Sequence, residues 1–137
     1  MILRRFYLTL YALFLWGIIL AQGQSPILEV TTYSDVVTDS DNTVNATDVV
    51  VFTVKAKNIS NLALSSLTIS HTLKGINGST LTLNSSPTFL SNSSGSAAGS
   101  LAAGETGTYV ATYTFDAAGV SAGGISLTVS GTASTPG

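Results

Sequence analysis

The chain has no cysteine, one histidine and few charged side chains, which make up 9% of its 137 residues. Without cysteine no disulfide can form, so stability has to come from a hydrophobic core, to which a metal ion or neighbouring domains could add. A zinc site would have to be built from carboxylates and the single histidine, His71. Only three lysines follow residue 23, too few for a surface that tracks phosphates, so we expect no nucleic-acid partner.

The N-terminus has the organisation of a secretory signal peptide. Arg4 and Arg5 precede an apolar run of 15 residues, Phe6–Leu20, and small residues at 21 and 23 occupy positions −3 and −1 of a cleavage site after Gly23. A membrane-spanning helix needs about 20 apolar residues, so an uncleaved anchor is the weaker alternative. We predict a signal peptide at 1–23, a mature chain of net charge −4, and an extracellular or cell-surface location, with membrane contact only during export.

The mature chain alternates apolar and polar residues with the period of β-strands. The clearest case is Thr108–Phe115, where Tyr109, Tyr113 and Phe115 fall on the side assigned to the core. A second inward face holds Val50, Phe52, Val54 and Ala56. The full set of predicted strands is Ile27–Ser34, Asp48–Asn58, Leu64–Leu73, Ser79–Leu83, Thr88–Leu90, Thr108–Phe115 and Ile125–Ala133.

Short strands at this spacing predict an all-β sandwich formed by residues 24–134, followed by a tail or linker start at 135–137. The small-residue segment Ser91–Ser100 is interpreted as a surface loop within this single domain, because neither half of the chain alone could close a core. Asp116–Ala122 could hold one helical turn.

Several segments follow one another in a recognisable order: an acidic loop at 39–42, a strand reading DVVVFTVKAKN, a strand reading LSSLTISHTL, and a closing stretch LAAGETGTYVATYTFDAAGVSAGGISLTVSGTAS. This order resembles the Ig-like β-sandwich repeats of bacterial and archaeal surface proteins, a domain-of-unknown-function family with a LAPGET…TYTATY closing motif. The resemblance implies an Ig-like antiparallel sandwich of about seven strands with Greek-key connections, often in tandem arrays, and no enzyme activity. Thr47 stands where those repeats usually have glycine, and His71 where they usually have aspartate.

The acidic segment between residues 35 and 48 is the candidate metal site. Carboxylate oxygens suit Ca²⁺, and Asp39 and Asp41 take the first two ligand positions of a calcium loop. Valine replaces both the glycine and the bidentate glutamate that such a loop requires. We predict that any bound metal is Ca²⁺ at Asp39, Asp41 and Asp48; the alternative is a solvated turn in which Asp and Asn bind their own backbone.

No pattern predicts catalysis. The chain has no G-x-S-x-G nucleophile elbow, His71 is expected at the rim of the core, and Glu105 lies in a turn where a structural role is expected. Five N-x-S/T triplets are either glycan acceptors or chance products of a composition rich in Asn, Ser and Thr. They begin at Asn45, Asn58, Asn77, Asn84 and Asn92.

The sequence therefore predicts a non-enzymatic, exported structural or interaction module: a spacer, stalk or adhesin-type repeat that can be joined head to tail. Its expected partners are surface or extracellular proteins and neighbouring Ig-like repeats, with glycans as a further candidate class and no cofactor other than calcium. The alternative is a carbohydrate- or calcium-binding β-sandwich module.

Overall fold

The computed structural model describes residues 27–37 and 43–135. The predicted signal peptide, the loop 38–42 and the last two residues lie outside that part of the chain. Seven strands and one short helix follow in the order β1 Leu28–Val37, β2 Val49–Asn58, β3 Ser65–Gly75, β4 Thr80–Leu81, β5 Ser85–Asn92, β6 Thr106–Thr114, α1 Ala117–Ser121 and β7 Ile125–Ser134. Within the described residues, no helix is long and apolar enough to cross a membrane.

The strands form two antiparallel sheets. The four-stranded sheet has the order β1-β2-β6-β5, and the three-stranded sheet has the order β4-β3-β7. The predicted all-β sandwich of about seven strands is confirmed. The alternation that predicted it appears directly as burial, because in β6 every second residue from Gly107 to Tyr113 is buried and the residues between them are half-buried.

The core lies between the two sheets in two neighbouring clusters. One is built around Phe52, Leu73 and Tyr113, the other around Val54, Tyr109 and Val129. The inward faces predicted for the second and sixth strands are confirmed, because their members are no more than 7% exposed; these are Val50, Phe52, Val54, Ala56, Tyr109, Ala111 and Tyr113. Phe115, predicted on the same side, is 4% exposed just beyond the end of β6.

The bounds of the shorter strands differ from the prediction. The predicted Ser79–Leu83 contracts to the two residues of β4, and the predicted Thr88–Leu90 extends to the eight residues of β5. The pairing of β5 with β6 is irregular twice, around Pro87 and Leu90, which is why its alternation is hard to detect in the sequence. The predicted helical turn is α1, and the predicted surface loop connects two paired strands of one sheet.

Both ends of the sandwich chain lie at the same end of the molecule. Leu28, the first residue of β1, pairs with Asn58, and Ser134, the last residue of β7, pairs with Ser65. We call this end the base. The opposite end, the tip, contains the turn before β2, the β3–β4 turn and α1. Copies could be joined head to tail only by a linker that runs the length of the sandwich, about 30 Å for ten extended residues.

Candidate functional site

The predicted calcium residues are only partly described. Asp39 and Asp41 lie outside the described residues. Asp48 lies at the tip just before β2, is 5% exposed, and accepts a hydrogen bond from the Asn45 backbone N–H at 2.8 Å. Within residues 27–37 and 43–135, no three His, Asp or Glu side chains are grouped as metal ligands would be. Calcium binding by Asp39, Asp41 and Asp48 therefore stays a prediction.

The turn that carries Asp48 is fixed by the end of β6. Thr47 N–H donates to the carbonyl of Phe115 at 2.8 Å, and Phe115 N–H donates to the carbonyl of Asp48 at 2.8 Å. Thr47 has a positive φ of 87°, a region that glycine enters easily and a β-branched residue does not. The backbone of this turn thus has a conformation that favours glycine at position 47, where the sequence has threonine.

At the base, a single asparagine connects two loops. Asn58 is fully buried, and its Nδ2 donates to the carbonyls of Leu62 at 2.7 Å, Ala102 at 2.9 Å and Leu101 at 3.2 Å. Its Oδ1 accepts from the backbone N–H and the hydroxyl of Ser60 at 3.0 and 2.8 Å. Both polar atoms of the amide are occupied, so Asn58 cannot carry a glycan in the folded protein.

Glu105 organises the long loop between β5 and β6. Its side chain is 1% exposed, and it accepts from the backbone N–H groups of Ser94 at 2.9 Å, Ser96 at 3.1 Å and Ala102 at 2.6 Å. Hydrogen bonds from the Ser96 side chain and the Ala102 backbone, followed by the Ser96 and Ser94 backbones, lower the pKa of Glu105 to about 2. The geometry supports the structural role expected for this glutamate.

At the tip, Asp116 caps α1 and connects it to the core. Its Oδ1 accepts from the Gly119 backbone N–H at 2.8 Å and from the Tyr113 hydroxyl at 2.9 Å. These two bonds, that of Gly119 first, lower the pKa of Asp116, while burial and then the neighbouring carboxylate raise the pKa of Tyr113. A Cβ on Gly119 would collide with the Tyr113 hydroxyl, so the helix packs this closely because position 119 is glycine.

Two other residues are exposed on the sheet faces. His71 lies on the inward row of β3 opposite Val129 of the core, on the side expected from the sequence, and its side chain is exposed. Beside it, β3 is an edge strand, because β4 covers only Leu73 and Lys74. Tyr33 is 54% exposed on β1, with the Lys55 ammonium 5.5 Å from its ring centroid, so this aromatic residue does not fill the core.

The remaining asparagines of the N-x-S/T triplets differ in accessibility. Asn77 and Asn84 are exposed and use Oδ1 to accept backbone N–H groups, of Ser79 at 3.0 Å and Thr114 at 2.6 Å. Asn92 is half-buried, and its Nδ2 donates to three carbonyls of the β5–β6 loop. The side chains support turns and loops at these three positions, and only Asn92 uses the Nδ2 atom to which a glycan would attach.

No family model, curated protein or solved structure matches this chain. The fold places it among antiparallel β-sandwiches with four strands packed on three. The ionisable groups with perturbed pKa values are engaged in holding loops and caps.

Proposed function

We propose that the protein is an exported surface module of the Ig-like repeat type, which presents a rigid sandwich to other molecules and catalyses no reaction. The proposal is supported chiefly by the outer face of the three-stranded sheet. Three successive cross-strand pairs of β3 and β7 on this face consist of hydroxyl residues, Thr68 with Thr132, Ser70 with Ser130 and Thr72 with Thr128. Such a face stays hydrated without charge, which suits a wall outside the cell.

The organisation of the loops also supports a presenting role. Glu105, Asn58 and Asp116, which a catalytic site could have used, each make hydrogen bonds that hold a loop or cap a helix. The base carries both chain connections, so the tip is the end that faces away from whatever adjoins the domain.

Export is tested by fractionating the native host and measuring the intact mass of the protein in each fraction. We expect the extracellular or surface fraction to contain a chain that lacks residues 1–23 and begins at Gln24. A full-length chain retained in the membrane or cytoplasm would contradict the proposal.

Carbohydrate binding is the second candidate, and Tyr33 is the observation that favours it. A half-exposed tyrosine ring on an outer sheet face, beside the donor Lys55, can stack on the apolar face of a sugar. Glycan-array binding that is lost in Tyr33→Ala and kept in Tyr33→Phe, which retains the ring, would support it. An array with no signal for the unmodified protein would eliminate this candidate.

A further inference from the structure

The two sheets leave one side of the sandwich open. The four-stranded sheet ends in the eight-residue β5, whereas the three-stranded sheet ends on that side in the two-residue β4. Towards the base from β4, nothing pairs with the edge of β3 until the carbonyl of Gly99 accepts from the Leu67 N–H at 3.0 Å. We call the opening between β3 residues 68–72 and β5 the β3–β5 window.

The register shows which backbone groups face the window. The N–H groups of Leu67 and Gly75, at the two ends of the odd-numbered row of β3, donate away from β7, to the carbonyls of Gly99 and Ser79. Successive residues of a strand direct their backbone groups to opposite neighbours. The N–H and C=O groups of Ile69 and His71 therefore face the window, and no other described segment pairs with them there.

The side chains that border the window are partly exposed, as expected where a further strand could cover the core. Phe89 of β5 lies opposite the inward-facing Tyr109, with the ring centroids 5.8 Å apart, yet it is 39% exposed. Leu67 and Ile69 on the inward row of β3 pack against the core and stay partly exposed, and His71 on the same row is exposed. An added strand would cover these side chains while pairing with the free edge.

We propose that the β3–β5 window binds an extended segment of another polypeptide by strand addition to β3. Its inward side chains have to be apolar to meet Phe89 and Ile69, and its outward ones small and polar to continue the hydroxyl row of β3. Among all the residues of β3, β4 and β5, Lys74 is the only charged one, and it lies towards the tip. The segment is therefore uncharged along its centre, with a carboxylate at the end that reaches Lys74.

A second copy of this chain does not fit the window through its own β3. Antiparallel pairing of two β3 strands about Ser70 would place Leu67 of one copy beside Leu73 of the other. That position is already occupied by Leu81 of β4, which pairs with Leu73. The window accepts a short strand whose flanks turn away from the sheet, as a peptide or an exposed tail can.

The probe for this binding is a capped synthetic peptide with the sequence of residues 125–131, ISLTVSG. It is made in two versions, one with an added aspartate at the N-terminal end and one with the aspartate at the C-terminal end. The sequence alternates apolar and hydroxyl residues and already pairs with the other edge of β3. Titrated into the ¹⁵N-labelled exported protein, it should shift the amide signals of Ile69 and His71 and slow their hydrogen exchange. The aspartate version that reaches Lys74 should bind several-fold more tightly than the other.

The matched control peptide is N-methylated at the nitrogens that would donate to β3, and it should bind at least about tenfold more weakly. His71→Pro removes only a window-facing N–H and leaves the β7 pairing intact, so it should abolish binding in a protein that stays folded. Comparison of the methylated peptide with the unmethylated one tests the proposal even if that variant does not fold.

Three results would overturn the proposal: no shift at Ile69 and His71 at the highest soluble peptide concentration, equal binding of the methylated peptide, or shifts that appear on self-association instead. Because binding does not require export, a failure here leaves the proposed function untouched.

Discussion

At the scale of single residues, Thr47 shows how backbone conformation can disagree with residue type. It is exposed, its φ is 87°, and its N–H is fixed by Phe115. A non-glycine residue held in such a region costs roughly 1–3 kcal/mol. The sequence indicated this position only through the glycine of the resembling repeats, since nothing in the composition of the turn reports the sign of φ.

We expect Thr47→Gly to stabilise the protein by about 1 kcal/mol, the relief of strain less the greater flexibility of glycine in the unfolded chain. The matched control is Thr53→Gly in the middle of β2, where the backbone is extended and glycine should destabilise. Chemical denaturation of both variants gives the comparison. Destabilisation by Thr47→Gly would show that the turn is not strained.

Asn58 connects two loops at the base through its side-chain hydrogen bonds. Asn58→Ala would remove five hydrogen bonds at a fully buried position, three to the carbonyls of Leu62, Leu101 and Ala102 and two from Ser60. Each hydrogen bond contributes about 0.5–1.5 kcal/mol net, so we expect a loss of at least about 2 kcal/mol. Asn61→Ala, at an exposed asparagine of the same turn, should change the free energy of unfolding by less than about 0.5 kcal/mol. Equal effects in thermal melts would contradict the assignment.

Residues such as Asn58, Tyr33 and His71 mark the limit of what the sequence could predict. Alternation assigns a residue to a face, but whether that face is covered depends on which strand lies beside it. His71 is on an inward row and exposed because β4 stops short of it. The triplet Asn58-Ile59-Ser60 reads as a glycan acceptor, whereas the amide is buried by a loop about 40 residues away.

At the scale of elements, the strands themselves were predictable and their order in the sheets was not. Period-2 alternation identified β2, β6 and β7 to within two residues, because β2 and β6 each bury one face throughout and the odd-numbered residues of β7 are buried or half-buried. The irregular β5 and the two-residue β4 were misjudged in length, since a bulge or a crossover interrupts their alternation. The predicted calcium loop is tested only at Asp48.

Phe52 and Thr112 test the register that holds the core. Phe52 is 4% exposed in β2 opposite Ala111, and Thr112 is the next residue of β6, on the outer face. Phe52→Ala should cost roughly 3–5 kcal/mol, a large part of the stability of a domain this size. Thr112→Ala should cost only about half a kcal/mol. Denaturant melts in which Thr112→Ala is the more damaging change would contradict the register.

Because Glu105 holds the β5–β6 loop in its ionised form, the free energy of unfolding should decrease at acidic pH. Its pKa is about 2 in the folded protein and ordinarily 4.5, so the stabilisation it gives is complete above pH 4.5 and is lost as the pH falls through about 2. Asp116, whose pKa is also lowered, adds to the same trend. Glu105→Gln should lower stability at pH 7 and flatten the decline between pH 4.5 and 2. Parallel pH profiles for the two proteins would rule out this role for the carboxylate.

At the scale of the whole molecule, the two connections at the base determine how the domain responds to tension. A force applied through both connections pulls β1 away from β2 starting at Leu28, and β7 away from β3 starting at Ser134. Hydrogen bonds would then break one pair after another, as in a zip, instead of all together in shear. We expect single-molecule pulling through residues 27 and 135 to unfold the domain at a much lower force than pulling between residue 27 and Asn77 at the tip. A domain with this arrangement unfolds at low force, so it suits a position in the assembly that does not transmit mechanical tension.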